Sequence, residues 1–313
     1  MILCVTLNPC LDKTLTVPPW SSGQNVRGLS VREVVGGKGN NVARALARLG
    51  RVARPVTFLG GSVGDRCRTL FEVQDRFDPL VIPTASPTRE ILTVLSEGTA
   101  DQTAFFDPDP AISEDEAERL LSLVEAAMSG GGIEALTLSG SSPSLETHTT
   151  YAELIGLARL REIPGLLDTY GPPLKALGDA WPDVLQLNRR EAGGFLGIAE
   201  PSDQDLWKLL GSWSDRGVRL ALVTDGPGAV LARASGARYR IEPPTIRVVN
   251  PIGSGDSLLA GLADSLIASL DVEDTLRRGI ACASANAEVW DAGAIEPAAV
   301  ARLEPEVSLE RLD

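Results

Sequence analysis

Short apolar runs alternate with segments of helical period along most of the chain. The strand-like runs are residues 2–7, 56–61, 134–140, 165–171, 184–188 and 219–226. Helical spacing of apolar residues recurs between them, for example over 113–128, 147–160 and 203–217. Polar residues follow successive strands, which favours a doubly wound, mostly parallel α/β sheet flanked by helices. With no linker and no internal repeat, residues 1–313 are expected to form one domain.

Two stretches break this alternation. Residues 14–35 hold short β-like pieces around Pro18 and Pro19, with no helical period. Residues 80–106 return to β character in three pieces, 80–83, 89–96 and 103–106. We expect the two stretches to pair as a small separate sheet that forms a lid over the site.

A glycine-rich turn precedes a helix near the C-terminal third. An apolar, β-branched run ends at Asn250-Pro251, the turn Gly253-Ser254-Gly255 follows, and Asp256 is expected to open the helix. The helix has a predicted buried face, formed by leucines at intervals of four: Leu258, Leu262, Leu266 and Leu270. Unpaired N–H groups and the helix dipole favour an anion at such a turn, most often phosphate. Asp256 is interpreted either as a helix N-cap or as a general base beside phosphoryl charge.

A second glycine turn occupies residues 36–41, Gly-Gly-Lys-Gly-Asn-Asn, and runs into a predicted helix over 42–50 with Gly50 as its C-cap. It is either a tight turn with a solvated lysine or a place where backbone N–H groups approach an anionic or polyhydroxylated ligand. It is not a Walker loop, because Arg32 stands where the first glycine is required and Gly39 follows Lys38. No GxGxxG is present at this turn, so a dinucleotide site is unsupported.

Composition excludes several partners. The formal charge is 29 − 42 = −13, which argues against general affinity for nucleic acid or an anionic membrane. No stretch has the apolar length of a membrane span, and the first apolar run lacks a basic n-region and is interpreted as a strand. The four cysteines are scattered and are expected to be reduced thiols in a cytoplasmic protein, without a metal cluster. His148 lies in a polar stretch and is expected on the surface.

The two glycine turns together resemble the two signatures of the PfkB (ribokinase-like) carbohydrate kinase family, as GGKGNNVARALARLG (36–50) and NPIGSGD (250–256). The stretch VTLNPCLDKTLTV (5–17) looks like the N-terminal strand of the branch that phosphorylates sugar phosphates, namely 1-phosphofructokinase and tagatose-6-phosphate kinase. SGSSP (139–143) is similar to that branch's SGSLP, and NRRE (188–191) fits the family's N-x-x-E motif. The resemblance covers essentially the whole chain and implies a ribokinase-like fold.

For the sugar side of the site, the resemblance implies a set of substrate-binding residues: Asp12, Gly37, Lys38, Asn41, Ser139 and Gly140. Cations for the substrate's existing phosphate would come from Arg27, Lys38 and Arg89, the last in the family's Thr-Arg element. The alternative for each arginine is a solvated lid residue.

For the phosphoryl side, the resemblance implies that Asp256 takes the proton from the sugar hydroxyl and that the N–H groups of Gly253, Ser254 and Gly255 stabilise the transferring group. Asn188 and Glu191 would position Mg²⁺ through waters, although Glu191 would also suit a helix first turn without a metal. The implied nucleotide contacts are Thr224, Gly226, Gly228 and Asn286, the last near the adenine. ATP and Mg²⁺ are the implied cofactors.

Departures from the family pattern concern specificity. Gln186-Leu187-Asn188 replaces Lys-Pro-Asn, and Val26-Arg27 replaces the usual Asn-Arg.

The predicted activity is ATP-dependent phosphorylation of a ketohexose phosphate to a bisphosphate. The substrate would be fructose 1-phosphate at O6, or tagatose 6-phosphate or fructose 6-phosphate at O1. The alternatives are a kinase of an unphosphorylated sugar or nucleoside, and a sensor without turnover. A homodimer through the lid is also expected.

Overall fold

The computed structural model of the protein describes residues 1–98 and 102–313. In this part of the chain the strands are β1 (Ile2–Thr6), β2 (Cys10–Val17), β3 (Ser30–Gly36), β4 (Ala53–Leu59), β5 (Leu80–Pro83), β6 (Arg89–Ser96), β7 (Gln102–Phe106), β8 (Ala135–Ser139), β9 (Gly165–Asp168), β10 (Val184–Asn188), β11 (Leu220–Thr224), β12 (Val230–Ala234), β13 (Ala237–Glu242) and β14 (Ser308–Arg311).

The helices of the same part are α1 (Lys38–Arg48), α2 (Gly61–Leu70), α3 (Glu114–Ser129), α4 (Thr150–Arg159), α5 (Pro172–Lys175), α6 (Arg189–Leu196), α7 (Asp203–Ser214), α8 (Ser254–Ile267), α9 (Val272–Ala287) and α10 (Pro297–Leu303). A π-helical turn, Phe71–Asp75, extends α2, and short 3-10 turns form at Leu145–Thr147 and Glu304–Glu306. None of these helices is long and apolar enough to span a membrane.

The described strands form two sheets. The large sheet has the order β14-β13-β12-β11-β10-β9-β8-β1-β4-β5 and is parallel from β11 to β5, with three antiparallel strands at the other edge. The small sheet has the order β3-β2-β6-β7. The predicted mixed α/β fold with a separate small sheet is thereby confirmed.

Both faces of the large sheet are buried, because successive side chains along a strand enter two different hydrophobic cores. Leu3 and Val5 of β1 pack with residues of α3, α4 and α7, whereas Ile2 and Cys4 pack with residues of α1, α8 and α9. Continuous apolar runs are typical of parallel strands covered on both faces. The two helices that follow the glycine turns, α1 and α8, both lie on this second face and pack against each other.

Several boundaries differ from the sequence prediction. The 80–83 piece pairs with β4 in the large sheet instead of joining the lid, so only β6 and β7 of the second stretch belong to the small sheet. Residues 99–101 of the predicted 80–106 stretch lie outside the described residues. The lid's first strand begins at Cys10, four residues before the predicted start at 14, so Asp12 lies inside β2.

The helices also differ in extent. α1 begins at Lys38, four residues before the predicted start, because only Gly36 and Gly37 form the turn, and Gly50 follows the C-cap Leu49. α8 ends at Ile267, which leaves Leu270 outside the helix and 38% exposed. The sequence pattern did not indicate α10 or β14, which follow α9.

Candidate active site

The N-terminal ends of α1 and α8 meet through one hydrogen bond. Asn41 Nδ2 donates to Asp256 Oδ2 at 2.8 Å, between residues 215 positions apart. Each helix starts from a glycine with positive φ, Gly37 at 110° and Gly253 at 85°. A Cβ on Gly37 would lie 2.6 Å from the Thr6 side chain, and one on Gly253 would lie 2.6 Å from Ala292 Cβ. Both turns therefore require glycine in conformation and in space.

Asp256 is buried, with 4% of its surface exposed, and occupies the third residue of α8. The cap is Gly253 and has no side-chain hydrogen bond, so the interpretation of Asp256 as an N-cap is wrong. Burial raises the pKa of Asp256 to about 7; nearby Lys38 and the Asn41 bond oppose this shift, whereas Asp168 and Glu191 add to it. A carboxylate with a pKa near neutrality suits a general base.

Lys38 lies at the centre of three acidic groups. Its Nζ donates to Asp168 Oδ1 at 3.0 Å and to Glu191 Oε1 at 3.3 Å, and it lies 5.5 Å from the centroid of the Tyr170 ring. Burial alone would lower the pKa of Lys38, but Asp168, Glu191 and Asp256 together raise it above its ordinary value. Lys38 is therefore a permanent cation, held at the first glycine turn by Asp168 and Glu191.

Asn188 and Glu191 form a capping box at the start of α6. Asn188 Oδ1 accepts from Glu191 N–H, and Glu191 Oε2 accepts from Asn188 N–H, each at 2.9 Å. The described residues contain no group of three or more His, Cys, Asp or Glu side chains that could hold a metal ion by themselves. Each Glu191 oxygen accepts one hydrogen bond and keeps a free lone pair. This donor set fits Mg²⁺ bound through water and substrate phosphates, since Mg²⁺ keeps several waters and needs few protein ligands.

Three polar residues lie on neighbouring strands in the middle of the sheet, two at strand ends and one, Gln186, at the centre of its strand. Ser139 on β8 pairs in register with Asp168 on β9, and Gln186 lies on β10. All three are at most 2% exposed, yet Ser139 Oγ and Gln186 Oε1 have no partner in the described chain. Gln186 Nε2 donates to Gly255 O at 2.9 Å, so this row supports the second glycine turn. Gly140 follows Ser139 with φ 102° and donates its N–H to Asp168 O.

A second polar cluster surrounds Arg89 at the start of β6. Arg89 Nη1 donates to Asp109 Oδ1 at 3.0 Å, and Asn8 Nδ2 donates to the same oxygen at 2.8 Å. Two atoms are buried without a partner among the described residues, Arg89 Nε and Asn8 Oδ1. An unpaired buried donor and an unpaired buried acceptor in one cluster favour a polar ligand there.

Asp12 is electrostatically linked to that cluster, but Arg27 is not. Burial raises the pKa of Asp12, and the positive charges of Arg44 and Arg89 oppose the shift. Arg27 is exposed in the loop between β2 and β3, and its side chain has no hydrogen bond or ion pair within residues 1–98 and 102–313. The structure thus brings Asp12 and Arg89 together and leaves Arg27 outside this group.

The second glycine turn offers fewer free N–H groups than expected. The N–H of Ser254 donates to Pro251 O at 3.2 Å, whereas those of Gly253 and Gly255 have no acceptor in the described chain. Asn286 was predicted near the adenine, but its side chain is fully buried. Its amide donates to Ile252 O and accepts from Gly293 N–H and Ser257 Oγ, so it braces this turn and has no exposed atom for a base.

The predicted nucleotide residues lie beside Asn188. Thr224 ends β11 and pairs in register with Asn188. Gly226 is exposed with φ 54°, and Gly228 N–H closes the turn by donating to Asp225 O. Arg189 Nε lies 2.8 Å from Asp225 Oδ2, which ties this turn to the start of α6.

Sequence reasoning missed Asp168, Asn8 and Asp109 as site residues. For Asp168 a signal was present, since it follows an apolar strand at the edge where parallel sheets place ligands. Asn8 and Asp109 are 101 residues apart and meet only in the folded chain, so no local pattern indicated them.

The fold has mixed α/β layers and a separate small sheet. Two of its helices start at glycine turns, and the second of them carries a buried carboxylate. These features together define a ribokinase-like carbohydrate kinase. The model of the pfkB family of carbohydrate kinases matches residues 5–299, nearly the whole chain. The chain therefore belongs to the pfkB family of carbohydrate kinases and is an ATP-dependent sugar kinase. The family predicted from the two glycine motifs is confirmed.

Solved structures share this fold over the full length. Phosphofructokinase-2 from Escherichia coli in complex with potassium is 24% identical, with a TM-score of 0.88 over 97% of this chain and 98% of that one. A possible 1-phosphofructokinase from Thermotoga maritima is 21% identical, with a TM-score of 0.87 over 100% of both chains. Arabidopsis thaliana ribokinase complexed with ribose and ATP is 19% identical, with a TM-score of 0.74 over 97% of this chain and 98% of that one.

Proposed function

We propose that this sugar kinase transfers the γ-phosphoryl group of ATP to a hydroxyl of a ketohexose phosphate and produces a bisphosphate. The observation that carries the proposal is Asp256, which is buried, bonded to Asn41 and located in the first turn of a helix where the N–H groups of Gly253 and Gly255 lack acceptors in the described chain. An ionised Asp256 would take the proton of the attacking hydroxyl as the new O–P bond forms and the bond from the γ-phosphorus to ADP breaks.

Charge on the transferring group would be stabilised from two sides. The N–H groups of Gly253 and Gly255 lie at the positive end of α8 and would donate to its oxygens. Lys38, held by Asp168 and Glu191, places a fixed positive charge near the same carboxylate. Both groups are positioned before any ligand binds, so little reorganisation is needed.

The acceptor would bind between the small sheet and α1. Asp12 would accept hydrogen bonds from sugar hydroxyls, and Ser139 Oγ has an unused hydrogen-bonding capacity on the pocket floor. The phosphate already on the sugar would bind Arg89, whose buried Nε is unpaired. Arg27, exposed on the lid loop, is proposed as a second cation that would reach the phosphate if the lid closes.

The nucleotide would bind across the ends of β10 and β11. Thr224, which pairs in register with Asn188, would line the phosphate side together with Gly226 and Gly228. Val248, Val249 and Ile252 are 58%, 48% and 54% exposed beside the second glycine turn and offer an apolar surface for the base. Mg²⁺ would be held through water by Glu191 and Asn188, where it would neutralise charge on the nucleotide phosphates.

The direct test is a coupled ADP-release assay with Mg-ATP and a panel of sugars. The panel contains fructose 1-phosphate, fructose 6-phosphate, tagatose 6-phosphate, the corresponding free sugars and a nucleoside. We expect kcat/KM for one ketose phosphate to exceed that of every unphosphorylated acceptor. A higher value for a free sugar or nucleoside would favour the alternative kinase, and binding of a sugar phosphate without any ADP release would favour a sensor.

A homodimer through the small sheet is part of the same proposal. Val31 on β3, Leu92 on β6 and Phe105 on β7 share one face by strand register, and Val31 and Phe105 are 54% and 55% exposed. Exposed apolar side chains on an open sheet favour pairing with a second copy. Sedimentation should show a dimer that Phe105→Arg with Val31→Arg converts to a monomer, and a monomeric wild type at micromolar concentration would refute it.

A further inference from the structure

Arg44, in the second turn of α1, uses every hydrogen-bond donor of its guanidinium group. Nε donates to Asp75 Oδ1 at 2.9 Å and Nη2 donates to Asp75 Oδ2 at 3.0 Å. Nη2 also donates to Val35 O at 3.2 Å, and Nη1 donates to Ala292 O and to Asn41 Oδ1, both at 3.0 Å. A guanidinium has five N–H groups, so none is left over. The side chains of Arg44 and Asp75 are 13% and 7% exposed.

These bonds fix which way the Asn41 amide points. Its Oδ1 accepts from Arg44 Nη1, so its Nδ2 must face Asp256 Oδ2. A flipped amide would place its Oδ1 against the carboxylate and its NH₂ against the guanidinium. Two acceptors would then face each other at one end and two donors at the other, so both hydrogen bonds would be lost. The chain Asp75–Arg44–Asn41 thus ends on the proposed base.

Arg44 also joins the backbones that carry both glycine turns. Val35 directly precedes Gly36-Gly37, and Ala292 packs against Gly253. Asp75, the last residue of the π-helical turn Phe71–Asp75, anchors the guanidinium with both carboxylate oxygens. Bidentate carboxylate pairing holds a guanidinium in one plane.

We propose that Arg44, held by Asp75, is a positioning residue that orients the Asn41 amide toward Asp256 and aligns the two glycine turns. None of its hydrogen bonds in the described chain goes to Asp256, so its effect on that carboxylate passes through Asn41. Its mechanistic consequence rests on the proposed kinase function, but the geometry can be tested without turnover.

The titration of Asp256 is the readout that a purely structural role would not change. The charged groups that influence Asp256 are Lys38 on α1, Asp168 on β9 and Glu191 on α6, and Asn41 adds the hydrogen bond that favours the ionised form. Arg44 influences Asp12 directly and Asp256 only through Asn41. Loss of the oriented amide should therefore raise the pKa of Asp256 while the three charges stay in place.

The test variants are Arg44→Lys, which keeps the charge and loses the planar fork, and Asp75→Asn, which keeps the shape and loses one acceptor. The control is Arg48→Lys on the same helix, where the one partner of the Arg48 guanidinium within the described residues is the exposed Glu296. The carboxyl ¹³C signal of Asp256 in ligand-free protein, assigned by its absence in Asp256→Asn, is followed against pH, with thermal unfolding as the check on folding.

We expect both test variants to raise the titration midpoint of Asp256 by about one pH unit, which corresponds to the free energy of one ordinary hydrogen bond. The control should leave the midpoint unchanged. In the kinase assay, the acid limb of kcat should move by the same amount. A folded Arg44→Lys and a folded Asp75→Asn that titrate like the wild type would overturn the inference. If the wild type phosphorylates nothing in the panel, the proposed function fails, while the ¹³C titration still decides the role of Arg44.

Discussion

Asn41 Nδ2 and Asp256 Oδ2, 2.8 Å apart, join the helices that follow the two glycine turns. This bond holds the Asp256 carboxylate in one orientation near the unpaired N–H groups of the second glycine turn. The carboxylate is buried and close to Lys38, Asp168 and Glu191. The pair brings together two motifs that lie 215 positions apart in the sequence.

The pH dependence of turnover should report the ionisation of Asp256. Burial raises its pKa to about 7, and only the ionised form can accept a proton. We therefore expect kcat to fall about tenfold per pH unit below that value and to reach a plateau above it. Steady-state kinetics between pH 5 and 9 with saturating substrates provide the measurement, and a kcat independent of pH from 5 to 7 would contradict the base assignment.

The free energy of unfolding should fall as pH rises, whereas kcat should rise. The folded-state pKa of Asp256 lies above its ordinary value of 3.8, so between that value and about 7 the folded protein binds the extra proton. Stability contributed by this group is therefore lost as pH rises through the window. Asp256→Asn, which keeps the shape without the charge, should gain stability over the wild type as pH goes from 5 to 8, by at most a few kcal/mol.

Thermal unfolding of both proteins at the two pH values measures this difference. Asp274→Asn, at an exposed helix start, is the matched control and should show no such gain. An Asp256→Asn protein with the same offset in Tm at both pH values would show that the carboxylate carries no net burial penalty.

The anionic group of the acceptor should depend on Arg89. Arg89→Met keeps the stem and removes the guanidinium whose Nε is unpaired. Because a hydrogen bond to a charged group is worth about 1.5–3 kcal/mol, affinity for the preferred sugar phosphate should fall about 10- to 100-fold. Calorimetric titration measures it, with Arg119→Met on the exposed face of α3 as the control.

Asp109 provides the converse test of the same subsite. Its carboxylate accepts from Arg89 and Asn8, so it competes with an incoming phosphate for both donors. Asp109→Asn should tighten binding of the sugar phosphate and leave binding of the free sugar unchanged. Equal effects of Arg89→Met on phosphorylated and free sugars would place the phosphate elsewhere.

Local pattern predicted much of the fold. The apolar runs that became β1, β8, β10 and β11 and the periodic segments that became α3 and α7 were visible because burial on a fixed face imposes a period. Local pattern could not decide which sheet residues 80–83 join, since a short apolar strand suits either. The early start of α1 at Lys38 was hidden by Gly39, which is a poor helix former but is required there, because a Cβ would lie 2.5 Å from Val5 O.

The site followed the same division. Glycine turns and the acid after them are local, so Asp256 could be proposed from its turn, and Lys38 and Asn41 from the resemblance of the other turn to the family signature. The partners that tune them are not local: Asp168 lies 130 residues from Lys38, and Arg44 reaches Asp75 and Ala292 through the tertiary fold. Asn286 was placed at the nucleotide by resemblance, whereas its burial is set by the packing of α9 on α8.

The most direct test of the account compares wild type and Asp256→Asn in one experiment. Coupled ADP release gives kcat with the best ketose phosphate, and calorimetry gives the affinity for that sugar phosphate. We expect kcat to fall by about 10²- to 10⁴-fold, the usual contribution of a general base, with affinity changed less than threefold or so. A variant with near-normal kcat and intact binding would contradict the central role of Asp256.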